Sequence, residues 1–222
     1  MNKKFALLAL LASSVAASAA HAQSAGSWSI RGGMTNISPD VTSGNLSAPS
    51  LPATKIDVKS ATQVSGGITY MYTDHFGVDL PLALPFRHDL VGAGAIAGVG
   101  KIGDVKLLPI TVFAQYRFLA AQARFRPYVG LGLTYANFFA ERGSGTLTGL
   151  TNPGGTPTRL SIDDRWGLTP QLGLVGRINE RWFFDVNVAK THLKTRNTLS
   201  TGQTLDLKLD PVTVSVGVGM RF

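Results

Sequence analysis

The chain has 222 residues, with 21 Lys and Arg against 13 Asp and Glu, a formal charge of +8, and no cysteine. The lack of cysteine excludes a disulfide framework and thiolate metal sites, and a chain of this length buries enough surface to fold without them. The basic residues are scattered instead of forming a block, which argues against nucleic acid as a partner and for lipid phosphates.

At the start, Lys3 and Lys4 precede the apolar run Phe5 to Ala12, and Ala20-His21-Ala22 closes a small-residue stretch. That is the pattern of a cleaved signal peptide over residues 1–22. The run is far shorter than the ~20 residues a membrane helix needs, and nothing later in the chain is better suited. If the mature part, residues 23–222, crosses a membrane, it must do so as a closed barrel, because backbone amides in hydrocarbon have no water to bond.

Sorting by odd and even position predicts eight strands, since strand side chains alternate between faces. In chain order they are Trp28 to Ile37, Thr62 to Tyr72, Phe76 to Arg87, Leu107 to Phe118, Pro127 to Tyr135, Trp166 to Ile178, Trp182 to Thr191 and Val212 to Phe222. The last shows the alternation best. Val212, Val214, Val216, Val218, Met220 and Phe222 share one face, and Thr213, Ser215, Gly217, Gly219 and Arg221 share the other. In a soluble sandwich the apolar face would be core, whereas in a membrane barrel it faces lipid. The short connections, at Thr73-Asp74-His75, Leu119 to Ala123 and Asn179-Glu180-Arg181, alternate with long ones. That asymmetry predicts an all-β, eight-stranded antiparallel transmembrane barrel of the outer membrane, with its short turns in the periplasm. The long loops are rich in Gly, Ser, Thr, Asn and Pro and are expected to be mobile, with no helix in the chain. Tyr70, Tyr72, Phe76, Tyr116, Phe118, Tyr128, Trp182 and Phe222 are predicted to form the periplasmic aromatic girdle.

The inward positions divide by depth. Pro81, Ala83, Pro85, Leu107, Pro109, Phe113, Thr169 and Ala189 are predicted to line an upper lumen pocket, above a floor of Asp79, Gln115, Arg117, Gln171, Arg177, Asp185 and Arg221. So narrow a barrel admits side chains or one small ligand. Asp79 and Asp185 are therefore expected to pair with Arg117 or Arg177 and close the path to the periplasm. Pro81, Pro85 and Pro109 each remove a ladder donor. They mark either a weakened seam for lateral exit or a set of bulges.

Catalytic, cofactor and metal sites are not expected. His75 lies on a periplasmic turn and His88 near the outer rim, too far apart for one site, and dispersed histidines do not make a metal centre. His88 and Asp89 with a loop serine would make a hydrolase triad, but no serine is fixed beside them in the sequence.

Pro85-Phe86-Arg87-His88, Leu108-Pro109, Arg124-Phe125-Arg126-Pro127-Tyr128-Val129-Gly130-Leu131-Gly132, Leu209-Asp210-Pro211 and the terminal Arg221-Phe222 together resemble the OmpW family of small outer-membrane barrels. The resemblance runs over the whole mature chain. It implies a narrow barrel with an apolar pocket open to the outside that admits small hydrophobic molecules, with no enzymatic activity. The expected partners are outer-membrane lipid and lipopolysaccharide, a small apolar solute, and the barrel assembly machinery through Phe222. In that family, bulky side chains from the third and seventh strands narrow the pocket. The matching positions here, Pro81 and Ala189, are small, so no gate is carried over. The competing readings are an adhesive or structural barrel acting through its loops and, third, a lipid hydrolase at the rim.

Overall fold

A computed structural model of the chain describes residues 24–222, so the predicted leader and its cleavage site lie outside the described residues. Eight strands form the barrel: β1 (Trp28–Ser38), β4 (Ala61–Met71), β5 (Phe76–Ala83), β7 (Lys101–Arg117), β8 (Phe125–Gly143), β10 (Arg165–Arg177), β11 (Trp182–Lys190) and β14 (Val212–Arg221). Each pairs antiparallel with the next. The first and last meet from Ser29 opposite Arg221 to Ser38 opposite Val212, and β7 pairs β8 down to Arg117 opposite Tyr128, so the sheet is closed.

The alternation read from the sequence is what holds this shape in a bilayer. On β14, Val214, Val216 and Val218 are 41, 50 and 48% exposed, while Thr213, Ser215 and Gly217 face the lumen. Ile110, Val112, Leu131, Leu133 and Leu172 are likewise exposed on neighbouring strands. In water such a band would drive aggregation; in lipid it is the solvated surface. The short turns are built locally. Thr73 Oγ1 accepts the N–H groups of His75 and Phe76, and Asn179 Oδ1 accepts those of Arg181 and Trp182.

The structure departs from the sequence reading in three places. First, the third barrel strand stops at Ala83. After Pro85 the chain restarts as β6 (Phe86–Gly94), which pairs with the outer half of β7 instead of continuing beside β4. Second, the long connections are folded and are not polar coils. β3 (Thr54–Val58) joins β6, and β2 (Thr42–Ser43), β9 (Leu160–Ile162), β12 (Lys194–Leu199) and β13 (Thr204–Lys208) form a second sheet on the outer side. They include a short helix, α1 (Gly145–Thr151), capped by Ser144, whose hydroxyl accepts the Leu147 N–H. Leu90, Ile102, Leu147, Leu160, Leu199, Leu205 and Leu207 lie in the hydrophobic cluster of this outer cap, and burial there is what orders the loops. Third, Tyr128 does not belong to the aromatic girdle. It is 2% exposed and points into the lumen, as its parity with Gly130 and Thr134 requires, whereas Tyr72, Phe76, Phe118, Trp182 and Phe222 do face outward.

Candidate functional site: a two-chambered lumen

Two cavities follow each other down the barrel. The outer one, about 500 Å³ including its mouth, lies inside the cap and is walled by Val58, Leu90, Val105, Phe138, Ile162 and Leu207, with His88 and Asn197 among them. The inner one, about 940 Å³ including its mouth, lies within the barrel wall. Ile37, Leu107, Leu193 and Pro211 wall both and mark the neck between them.

The inner chamber has a mixed lining. Thr111, Thr134, Thr169 and Thr191 form a hydroxyl ladder with oxygen separations of 2.8, 2.6 and 3.1 Å, and Thr35 bridges Ser65 and Ser215 on the opposite wall. Because these hydroxyls satisfy one another, they present little unmet demand to a solute. The remaining wall is apolar, from Pro81, Ala83, Phe86, Pro109, Phe113 and Ala189.

Of the predicted pocket residues, Pro81, Ala83, Leu107, Pro109, Phe113, Thr169 and Ala189 line this chamber. Pro85 does not. It sits at the break between β5 and β6, where its carbonyl accepts the Gln63 side-chain amide at 3.2 Å. The prolines flank a gap in the wall. β5 pairs with β7 only from Phe76 opposite Tyr116 to Asp79 opposite Phe113, and β6 takes up β7 again at Phe86 opposite Leu107. Leu80 to Pro85 and Leu108 to Val112 thus have no ladder between them. The register shifts on the β7 ladders lie elsewhere, between Leu90 and Val91 and between Asp104 and Lys106, so the bulge explanation does not apply to these prolines.

The floor is polar, but not in the predicted pairs. Asp79, fully buried, is bound by Arg31 through both guanidinium ends and by the Thr69 hydroxyl at 2.6 Å. Asp185 accepts from Tyr128 at 3.1 Å and from Asn187 at 2.8 Å. Among the described residues neither carboxylate is paired with Arg117 or Arg177. The reason is steric. Arg31 on β1 crosses Gly67, where a Cβ would lie 2.6 Å from its Nη2, and so reaches β5. The Tyr128 ring lies over Gly173, which likewise leaves no room for a side chain. Gln115, Gln171 and Asn187 extend the network, with Gln115 donating to Gln171 at 2.9 Å and Gln171 to Asn187 at 3.3 Å. Arg117 donates to Gln115 and lies over the Tyr128 ring at 5.8 Å, and Arg221 lies over Phe183 at 5.1 Å. Arg177 stands half-buried at the periplasmic end of β10. Sequence reading missed Arg31, although it shares parity with the inward Ser29 and Thr35.

The residues of the supposed rim hydrolase are otherwise engaged. His88 is 2% exposed with Nδ1 2.8 Å from the Lys59 carbonyl, and Asp89 pairs with Lys101 at 2.6 Å. Burial holds the His88 pKa below its ordinary value, against the opposing pull of the Lys59 carbonyl and Asp89. Around the outer rim, Asp164 accepts from Phe138 N at 2.7 Å, Asn137 at 2.9 Å and Tyr135 at 2.9 Å. Desolvation would raise its pKa, but these bonds outweigh that and hold it below the ordinary value.

An eight-stranded barrel with a lipid-facing apolar band and a hydrogen-bonded polar floor defines a class, the small barrels of the bacterial outer membrane. Within that class the chain belongs to the OmpW family, whose profile matches residues 24–222. It is similar to outer membrane protein W of Vibrio cholerae serotype O1, with 31% identity over 228 residues that cover 100% of both chains. Its fold matches the crystal structure of OprG from Pseudomonas aeruginosa at a TM-score of 0.79 and 30% identity, over 90% of this chain and 97% of that one. A more distant relative is the dibenzothiophene metabolism operon protein PahQ of Pseudomonas aeruginosa, 24% identical over 88% of each chain. The chain is thus an outer-membrane barrel, and its outer-membrane relatives are named as membrane proteins, not as enzymes.

Proposed function

We propose that this barrel passively admits small hydrophobic molecules from outside and releases them sideways into the membrane. The observation that carries the reading is the coincidence of the inner chamber with the unpaired interval between β5 and β7. Pro81, Ala83 and Pro109 line that chamber and border the gap. An apolar solute reaching this point meets a floor of charged and amide side chains below and hydrocarbon beside it, and the second route costs it no desolvation. The name of the relative PahQ, which links it to the metabolism of dibenzothiophene, an apolar aromatic, favours the same class of solute. In this reading residues 1–22 are a cleaved export leader, the outer cap meets lipopolysaccharide, and Phe222 contacts the assembly machinery.

The test uses the full chain in cells at matched barrel levels, following uptake of a short alkane. Ala189→Trp fills the inner chamber without touching the lipid face and is expected to lower uptake. Pro81→Val with Pro85→Val restores donors on the seam strand and is expected to lower it as well. Wild-type uptake in both variants would reject the route and leave the barrel a structural or adhesive one.

A further inference from the structure

Asn197, in the middle of β12, is 1% exposed, and neither its Nδ2 nor its Oδ1 has a hydrogen-bond partner. His88, in β6, is 2% exposed, and its Nε2 is also without a partner. Both side chains form part of the wall of the outer chamber, whose other surfaces are almost wholly aliphatic or aromatic. A buried amide with neither end satisfied is uncommon in a folded protein and destabilising. An apolar residue of similar size, matching Leu199 and Leu205 nearby, would avoid that. Two such side chains on one cavity require a further account, and the cavity has room for a small polar group, either a water molecule or the polar end of a ligand.

The chemistry of that group follows from the donors and acceptors. The Lys59 carbonyl only accepts, so His88 Nδ1, 2.8 Å from it, carries the proton. In the neutral ring Nε2 is then an acceptor. Asn197 adds one donor group and one acceptor, and exchanging its O and N leaves that inventory unchanged. The wall therefore offers two acceptors and one donor within an apolar chamber. A pure hydrocarbon leaves all three unmet. A carboxylate meets one donor and two repelling acceptors, and must shed its hydration to enter. A neutral hydroxyl both donates and accepts, and so answers His88 or Asn197 Oδ1 together with Asn197 Nδ2.

We propose that the outer chamber is a selective binding site for apolar molecules that carry a single neutral hydroxyl group, of the aliphatic alcohol class, held by Asn197 and His88. The inference deepens the passage reading and relies on it only for how the ligand moves on after binding.

The experiment is binding of 1-octanol, labelled with 13C at its hydroxyl carbon, to the full chain in lipid nanodiscs, with empty nanodiscs subtracted. n-Octane and octanoate serve as competitors. Wild-type protein is expected to bind octanol roughly tenfold more tightly than octane, the effect of one or two recovered hydrogen bonds, and to disfavour octanoate. Asn197→Leu is expected to reduce octanol binding to the octane level, leave octane binding unchanged, and raise resistance to unfolding, because a buried unmet amide is gone. Equal binding of octanol and octane by wild-type protein, which needs no variant, overturns the proposal. A preference for octanoate, or an Asn197→Leu variant that is less stable and still prefers octanol, overturns it as well. The passage reading fails separately, if alkane uptake survives Ala189→Trp and the Pro81→Val, Pro85→Val pair.

Discussion

Removing Arg31 should damage this barrel more than removing its partner. In the intact floor Asp79 is 0% exposed and holds three hydrogen bonds, two from Arg31 and one from Thr69. Arg31→Ala leaves a carboxylate set in the barrel wall with one neutral donor, and breaking a buried pair in this way costs about 3–5 kcal/mol. The upper part of that range applies, because both lost bonds are charge-assisted. Asp79→Ala leaves a guanidinium that is 11% exposed, borders the inner chamber and keeps the Thr69 hydroxyl at 3.2 Å. Water can reach that charge, so the cost falls to about 1–3 kcal/mol. The double variant, with no orphaned charge, should be more stable than Arg31→Ala alone. Urea unfolding of the full chain in lipid vesicles, followed by tryptophan fluorescence, ranks the three. If Asp79→Ala proves the worst, or if the double variant is as unstable as Arg31→Ala, the ion pair is not what closes the floor.

Other outcomes follow from the same structure. Val216→Arg should cost about 2–4 kcal/mol near the bilayer midplane, and a lipid-embedded quencher should reach a probe at position 216 more readily than one at 215. Leu205→Ala, at a site 1% exposed in the outer cap, should lose about 2–5 kcal/mol, read as faster proteolysis of the cap while the barrel stays intact. Asp164, with its pKa held below 3.8, stabilises the rim fully above that value. The contribution disappears as pH falls through the lowered pKa, so Asp164→Asn should flatten the acid limb of cap stability measured by hydrogen exchange.

The barrel was legible because its rule is simple: a lipid-facing residue every second position, interrupted by turns. β14 obeys it over its whole length. The cap was not legible as structure, although Thr204-Leu205-Asp206-Leu207-Lys208 alternates just as strictly. Its strands are only 2 to 6 residues long outside β6, and so short a run among Gly, Ser and Thr looks like coil until a partner strand is in place. Tyr128 has the aromatic character of a girdle residue, but its parity places it with Arg126 and Gly130 inside. The pairing of Asp79 with Arg31 could not be read from either strand alone. It depends on Gly67 of the strand between them leaving a passage for the guanidinium. Orphaned Asn197 and His88 have no signature in sequence, since an unmet hydrogen bond exists only once the surroundings are fixed.

The pairing of β1 with β14 also sets the order of assembly. Ser29 and Arg221 are opposite each other although nearly the whole chain separates them, so ring closure is the longest-range contact the protein makes and the slowest in loop entropy. Until β14 has paired with β1, each of the two keeps an open edge. Such an intermediate would template pairing with its own copies. It is therefore protected only by being held apart from other chains until the ring closes.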